Sequence, residues 1–208
     1  MNKPLNRFFA LTLLTLCCSQ SLFAQNNPTQ IPKEVKDAIG TYTGFWTSYG
    51  LDANGQVTKQ VAWTDMVKAE NPVVEKSRAF VTTTDEMIFE GGRIPPMTVS
   101  GKEGYFLNSN GSLGEYFIET YGQIYKMQKL GKNVFAYTVA AAPQELARLA
   151  AAKVQSAQHT LIKVITFEQG VETHNISRLT TVRWTDASGK ERTTQFISLQ
   201  GRHQRQRN

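Results

Sequence analysis

Between residues 57 and 68, apolar and polar side chains take turns. Val57, Val61, Trp63 and Val67 alternate with Gln60, Thr64 and Lys68. Period two marks a strand with one buried face. Upstream, Gly40–Tyr49 is filled with β-branched and aromatic residues that suit a pleated surface. Asp52-Ala53-Asn54-Gly55 separates the two runs with a strong hairpin signal. Asn71-Pro72 ends the second strand, and Val73–Phe89 supplies a third, interrupted near Thr84-Asp85. A loop over Glu90–Pro96 leads to a fourth strand, Met97–Asn108. Shorter runs follow at Gly114–Thr120, Gln123–Leu130 and Asn133–Ala140, then Thr160–Glu168, Val171–Thr185 and Lys190–Gly201. Short strands at this spacing predict an all-β fold, an antiparallel up-and-down β-barrel of about 8–10 strands.

The period changes twice. Pro32–Ile39 predicts a short helix with proline in its first turn and Val35 and Ile39 one turn apart. Pro143–Gln158 is rich in helix formers, with Leu146, Leu149, Ala150 and Val154 as an apolar stripe. It predicts one covering helix over residues 143–158.

The start of the chain departs from strand patterning. Lys3 and Arg7 precede an apolar run from Phe8 to Cys18, and Leu22-Phe23-Ala24 forms a small-residue cleavage site. This predicts a secretory signal peptide over 1–24, too short for a stable membrane span, and a periplasmic or secreted mature protein. The remaining expectations are a polar lead-in over 25–32, a barrel domain over 33–203 and a basic tail over 204–208. Both cysteines, Cys17 and Cys18, fall within the leader, so disulfides play no part in the exported domain. Loss of Lys3 and Arg7 lowers the formal charge from +6 to +4. That excess lacks the basic face with interleaved aromatics that nucleic acid requires.

Candidate chemistry is sparse. His159, His174 and His203 stand alone, with no second ligand at metal-binding spacing. One histidine meets the requirement for a proximal haem ligand, and no other feature adds to it. No Gly-x-Ser-x-Gly elbow or mature cysteine offers a nucleophile. The expectation is therefore no catalytic residue, no metal and no cofactor. Asp65, Glu103 and Glu119 become acid–base partners only if strand register brings them together. What stands out is ring-rich strand material. Trp63, Tyr116, Tyr125, His174 and Trp184 are the candidate ligand-binding residues, with the Glu90–Pro96 loop near the mouth. Val61, Trp63 and Asp65 share one strand face, as do His174, Ile176, Arg178 and Trp184.

Gly44-Phe45-Trp46, opening the first strand after a short helix, resembles the Gly-x-Trp motif of lipocalins. More broadly, residues 33–203 are similar in pattern to calycin-type barrels and to exported bacterial lipocalin-like proteins. The resemblance implies that a last-strand arginine, here Arg202, packs across Trp46 and closes the barrel. It also implies a cavity for a small, partly apolar ligand. Two alternatives stand beside that expectation: an isomerase or hydrolase with His174 as acid–base group, and an envelope interaction protein whose barrel is filled.

Overall fold

The computed structural model describes residues 30–149 and 153–206. The expected leader over 1–24 lies outside the described residues, as does most of the lead-in. Helix α1 (Lys33–Asp37) precedes β1 (Gly40–Leu51), β2 (Val57–Glu75), β3 (Arg78–Phe89), β4 (Met97–Leu107), β5 (Leu113–Thr120), β6 (Gln123–Gly131) and β7 (Val134–Ala140). After α2 (Pro143–Leu149) come β8 (Lys153–Glu168), β9 (Val171–Thr185) and β10 (Glu191–Arg205).

The ten strands form one closed antiparallel barrel in which each pairs with its neighbours in sequence, and β10 returns to β1. The seam runs from Tyr42 opposite Arg205 to Ser48 opposite Leu199. Closure leaves no open edge for another chain to add to. The all-β, up-and-down architecture is therefore as the alternation predicts.

Four boundaries differ from expectation. Residues 153–158 are strand: Lys153 pairs with Thr185, Ala157 with Val182 and Gln158 with both Ala140 and Thr181. Helical propensity there yields to pairing, because a helix would leave residues 181–185 of β9 unpaired on the side away from β10. Asn71-Pro72 does not end β2. The strand passes through with a register shift between Glu70 and Val73, Asn71 taking a left-handed φ of 48°. Likewise β3 runs unbroken through Thr84 and Asp85. Finally, Gln204 and Arg205 do not form a solvated tail; they pair with Thr43 and Tyr42.

Each barrel end has its own apolar plug. At the α1 end, Val35 packs with Tyr42, Ala69, Ala79 and Val81. At the opposite end, Leu149 of α2 joins Leu51, Val182, Trp184 and Phe196. A third cluster, on the wall, joins Tyr116, Met127 and Phe135. Outward strand positions carry ion pairs such as Lys68–Glu86, Lys126–Glu115 and Arg183–Glu191. On that outer face Phe80 and Phe117 flank Gly104, and a Cβ at Gly104 would lie 2.5 Å from the Phe80 Cα. Rings folded over a strand glycine restore the packing its missing side chain forfeits. Among the described residues, no helix is long and apolar enough to cross a membrane.

Candidate functional site

Between the two plugs lies a cavity of about 910 Å³. Its wall is a mixture: Val67, Val81, Ile118, Leu161, Ile165 and Ile176 supply aliphatic surface, and Tyr42, Tyr105, Phe135 and Tyr137 supply rings. Interspersed charged groups fall into four clusters, set by which inward positions face each other across the sheet.

The deepest is built on Lys163, whose side chain is only 2% exposed. Its Nζ donates to Glu103 Oε1 at 2.8 Å and to the Tyr116 hydroxyl at 2.7 Å. That hydroxyl donates in turn to Glu103 Oε1. Burial alone would push the Glu103 carboxyl up, but Lys163, His174 and the two hydrogen bonds hold it well below the usual range. Burial and the adjacent Glu103 charge push the Tyr116 phenol well up, so it stays protonated as a donor.

Beside it, Glu172 bridges His174 and Arg205. His174 Nε2 lies 2.7 Å from Glu172 Oε1, and Arg205 NH1 donates to Oε2 at 3.0 Å. Tyr42 packs on the His174 ring with centroids 5.1 Å apart. Burial, then the Lys163 charge, lowers the His174 pKa against the opposing pull of Glu172 and Glu103.

A third cluster joins β1, β2 and β10. Trp46 Nε1 donates to Asp65 Oδ2 at 2.6 Å, and His203 Nε2 lies 2.8 and 2.9 Å from the two Asp65 oxygens. Gly44 makes the room: a Cβ there would sit 2.2 Å from His203 Cδ2 and 2.5 Å from Asp65 Oδ1. Asp85 faces the same part of the lumen, with a buried Oδ1 that has no hydrogen-bond partner. Burial, with the nearby Asp65 charge, pushes its carboxyl up to about 6 against the lowering effect of His203.

The fourth lies towards α2. Arg178 Nε donates to Ser198 Oγ at 2.9 Å, Ser198 Oγ is 2.5 Å from Thr180 Oγ1, and Thr180 Oγ1 is 2.7 Å from His159 Nδ1. Burial, and secondarily Arg178, lowers the His159 pKa to about 4. The imidazole is therefore neutral near pH 7.

Of the five ring residues singled out from the sequence, Tyr116, Tyr125 and His174 line the cavity. Trp184 points inward but is consumed by the α2-end plug. Trp63 is not a lining residue; it stacks on Trp46 at 5.9 Å with the planes 5° apart. The Glu90–Pro96 loop contributes no side chain to the lining. Arg202 does not pack on Trp46. It pairs with Phe45 and is exposed, whereas Gly201 lies opposite Trp46 and His203 meets the indole edge on. Strand alternation explains this: one position separates the outward Arg202 from the inward His203. Asp65 and Glu103 face inward, but they are held by other groups rather than by each other, Asp65 by Trp46 and His203 and Glu103 by Lys163 and Tyr116, and Glu119 pairs with Arg78 and Lys102.

Sequence reasoning passed over Lys163, His203, Asp85 and His159 as site residues. Lys163 had one visible signal, a lone lysine in the apolar run Leu161–Ile165. Among the described residues, no group of three or more His, Cys, Asp or Glu side chains is arranged to hold a metal ion.

No family model matches the chain, and no curated protein or solved structure is significantly similar to it. The closed ten-strand antiparallel barrel is compatible with a calycin-like fold, and that likeness is one of architecture.

Proposed function

We propose that this chain is an exported binding module for a small, partly apolar ligand, built on a lipocalin-like barrel. The observation that carries the reading is the 910 Å³ cavity, walled by aliphatic side chains and rings around a few placed polar groups. Ligand pockets of this kind combine apolar burial with a small number of orienting polar contacts. Most of the charges in the lumen already neutralise one another, as in Lys163 with Glu103 and Arg205 with Glu172. A site so balanced favours a neutral or weakly polar guest, since an unpaired charge brought into it would lose hydration without gaining a partner. Tyr116, Tyr125 and His174 are the binding residues on this reading. Trp63 and Trp184 act through packing, Trp63 on Trp46 and Trp184 in the plug at the α2 end. The volume also weighs against a filled barrel working only through its outer face.

Export rests on the residue pattern of 1–24, and intact-mass measurement of periplasmic protein tests it. The expected chain starts at Gln25; material still carrying residues 1–24 would overturn export by cleavage. Binding is tested by native mass spectrometry of protein purified from its own host, with N-phenyl-1-naphthylamine fluorescence as a second measurement. A retained small-molecule adduct, or saturable fluorescence enhancement by the probe, is expected. Bare protein that gives no saturable enhancement would refute the reading.

A further inference from the structure

We propose that Asp85 receives the ammonium group of an amphipathic amine whose apolar chain lies along the lumen, a reading that rests on the binding function above. Asp85 is half-buried and lines the 910 Å³ cavity, so a guest there can reach it. Its Oδ1 is shut into the wall, and the ligand meets the carboxyl from the lumen side.

The wall leaves room at this point. Asp85 stands opposite Val67 on β2 and Val99 on β4, and Thr83, the next inward position, stands opposite Ala69 and Gly101. All of these line the cavity, and all are small. No long side chain at these positions covers the carboxyl.

The deeper carboxyls of the lumen are already engaged: Glu103 by Lys163, Glu172 by Arg205, and Asp65 by Trp46 and His203. Among the described residues, Asp85 has no such partner. The one positive influence on it is His203, which is committed to Asp65 at 2.8 Å.

The charge count at this corner is therefore unbalanced. Asp65 on β2 and Asp85 on β3 face a single imidazole, His203 of β10, while β4 offers Val99 and Gly101. Even with His203 protonated, two carboxylates meet one cation. Burial, then the Asp65 charge, raises the Asp85 pKa to about 6. Near pH 7.5 the group is nonetheless ionised, at a cost in stability that a bound cation would offset.

Charge selects the ligand. An anion would meet both carboxylates, whereas an ammonium brings the missing charge together with N–H donors. Val67, Val81, Val99 and Ile118 give the chain beyond it an aliphatic wall. A bare metal ion would leave that apolar surface unused.

The test is displacement of N-phenyl-1-naphthylamine from the mature protein by decylamine and decan-1-ol, in the parent and in Asp85→Asn, at pH 7.5 and pH 5.0. Decylamine stays protonated at both. In the parent at pH 7.5 it should displace the probe at roughly tenfold lower concentration than decan-1-ol, the scale of one charge-assisted hydrogen bond. At pH 5.0 that preference should shrink severalfold, because the ammonium then competes with a proton on Asp85. In Asp85→Asn the two should displace about equally at pH 7.5, and a melting temperature at or above the parent's establishes that the variant folds. Any pH dependence left in the variant belongs to Asp65 and His203. Equal displacement in the parent, a preference undiminished at pH 5.0, or one that survives Asp85→Asn would overturn the inference while leaving the binding reading intact. No saturable probe binding in the parent would sink both.

Discussion

Trp46 and His203 meet edge to face, with ring centroids 5.0 Å apart and an interplanar angle of 76°. Asp65 joins them by accepting from the indole N–H and facing His203 Nε2. The pair closes the seam between β1 and β10, and it fits because Gly201 lies opposite Trp46. A Cβ on Gly201 would sit 2.1 Å from the indole Cε3.

Gly201→Ala should therefore destabilise the barrel by about 1–3 kcal/mol, the range for overpacking a rigid core. For a domain of this size that lowers Tm by roughly 2–12 °C. Arg202→Ala, one residue on and exposed, should stay within about 0.5 kcal/mol of the parent. Thermal melts of the two variants side by side check the parity of β10. The reverse order, Arg202→Ala melting low and Gly201→Ala like the parent, would contradict the register.

Arg205 stands near the end of the chain yet works inside it. It donates to Glu172 at 3.0 Å and to the Ile39 carbonyl, and it lies over the Tyr42 ring at 5.7 Å. Arg205→Ala leaves Glu172 with His174 as its remaining partner among these contacts. A loss of about 1–3 kcal/mol is expected, as for other charged hydrogen bonds in partly buried settings. Urea unfolding of Arg205→Ala measures it, and a variant as stable as the parent would reject the role.

These two residues also show where the sequence was legible. Alternation along β2 and the turn signals marked out an up-and-down barrel of about 8–10 strands, because period two reports a buried face directly, while closure of first on last was implied by the lipocalin resemblance. Which face a given residue takes is a finer matter, and one register step moved Arg202 outward and brought His203 in. The site residues passed over stand where local signals misled. His159 follows a stretch of helix formers that the sheet turned into strand, Asp85 sits where β3 looked interrupted, and Arg205 ends a run that resembled a solvated tail. Lys163 was hidden differently. Both faces of Leu161–Ile165 are apolar, so no alternation revealed that its ammonium points inward. Its partners Glu103 and Tyr116 come from β4 and β5, a pairing across the barrel that only the closed sheet creates.

The Lys163–Glu103–Tyr116 cluster should behave as a unit. Lys163→Met strands the Glu103 carboxylate in the lumen, a change worth about 3–5 kcal/mol when a buried partner is removed. The double variant Lys163→Met with Glu103→Gln removes the stranded charge and should recover part of that loss. A double-mutant cycle by urea denaturation is expected to give a coupling energy above about 1 kcal/mol. Additive losses would mean that lumen water already screens the pair.

Asp85 should make the barrel less stable as pH rises. Its folded pKa is about 6 against an ordinary 3.8, with burial the leading cause and Asp65 the second. The folded state thus holds a proton that the unfolded chain has released, and stability falls as pH climbs from near 4 to near 6, then levels off. Asp85→Asn removes the penalty. With allowance for partial solvent screening, the variant should be more stable than the parent by about 1–2 kcal/mol at pH 7.5. The gain should shrink towards zero near pH 4. His159 works in the opposite sense: its lowered pKa, about 4, means stability is lost as pH falls from 6.5 through 4. Glu103 adds a further loss at lower pH, because its carboxyl is held well below its ordinary value. The quantity to plot is therefore the difference between variant and parent across the pH range, in which those shared contributions cancel. A difference that grows on acidification, or is absent at pH 7.5, would show that the Asp85 carboxylate is already satisfied within the lumen.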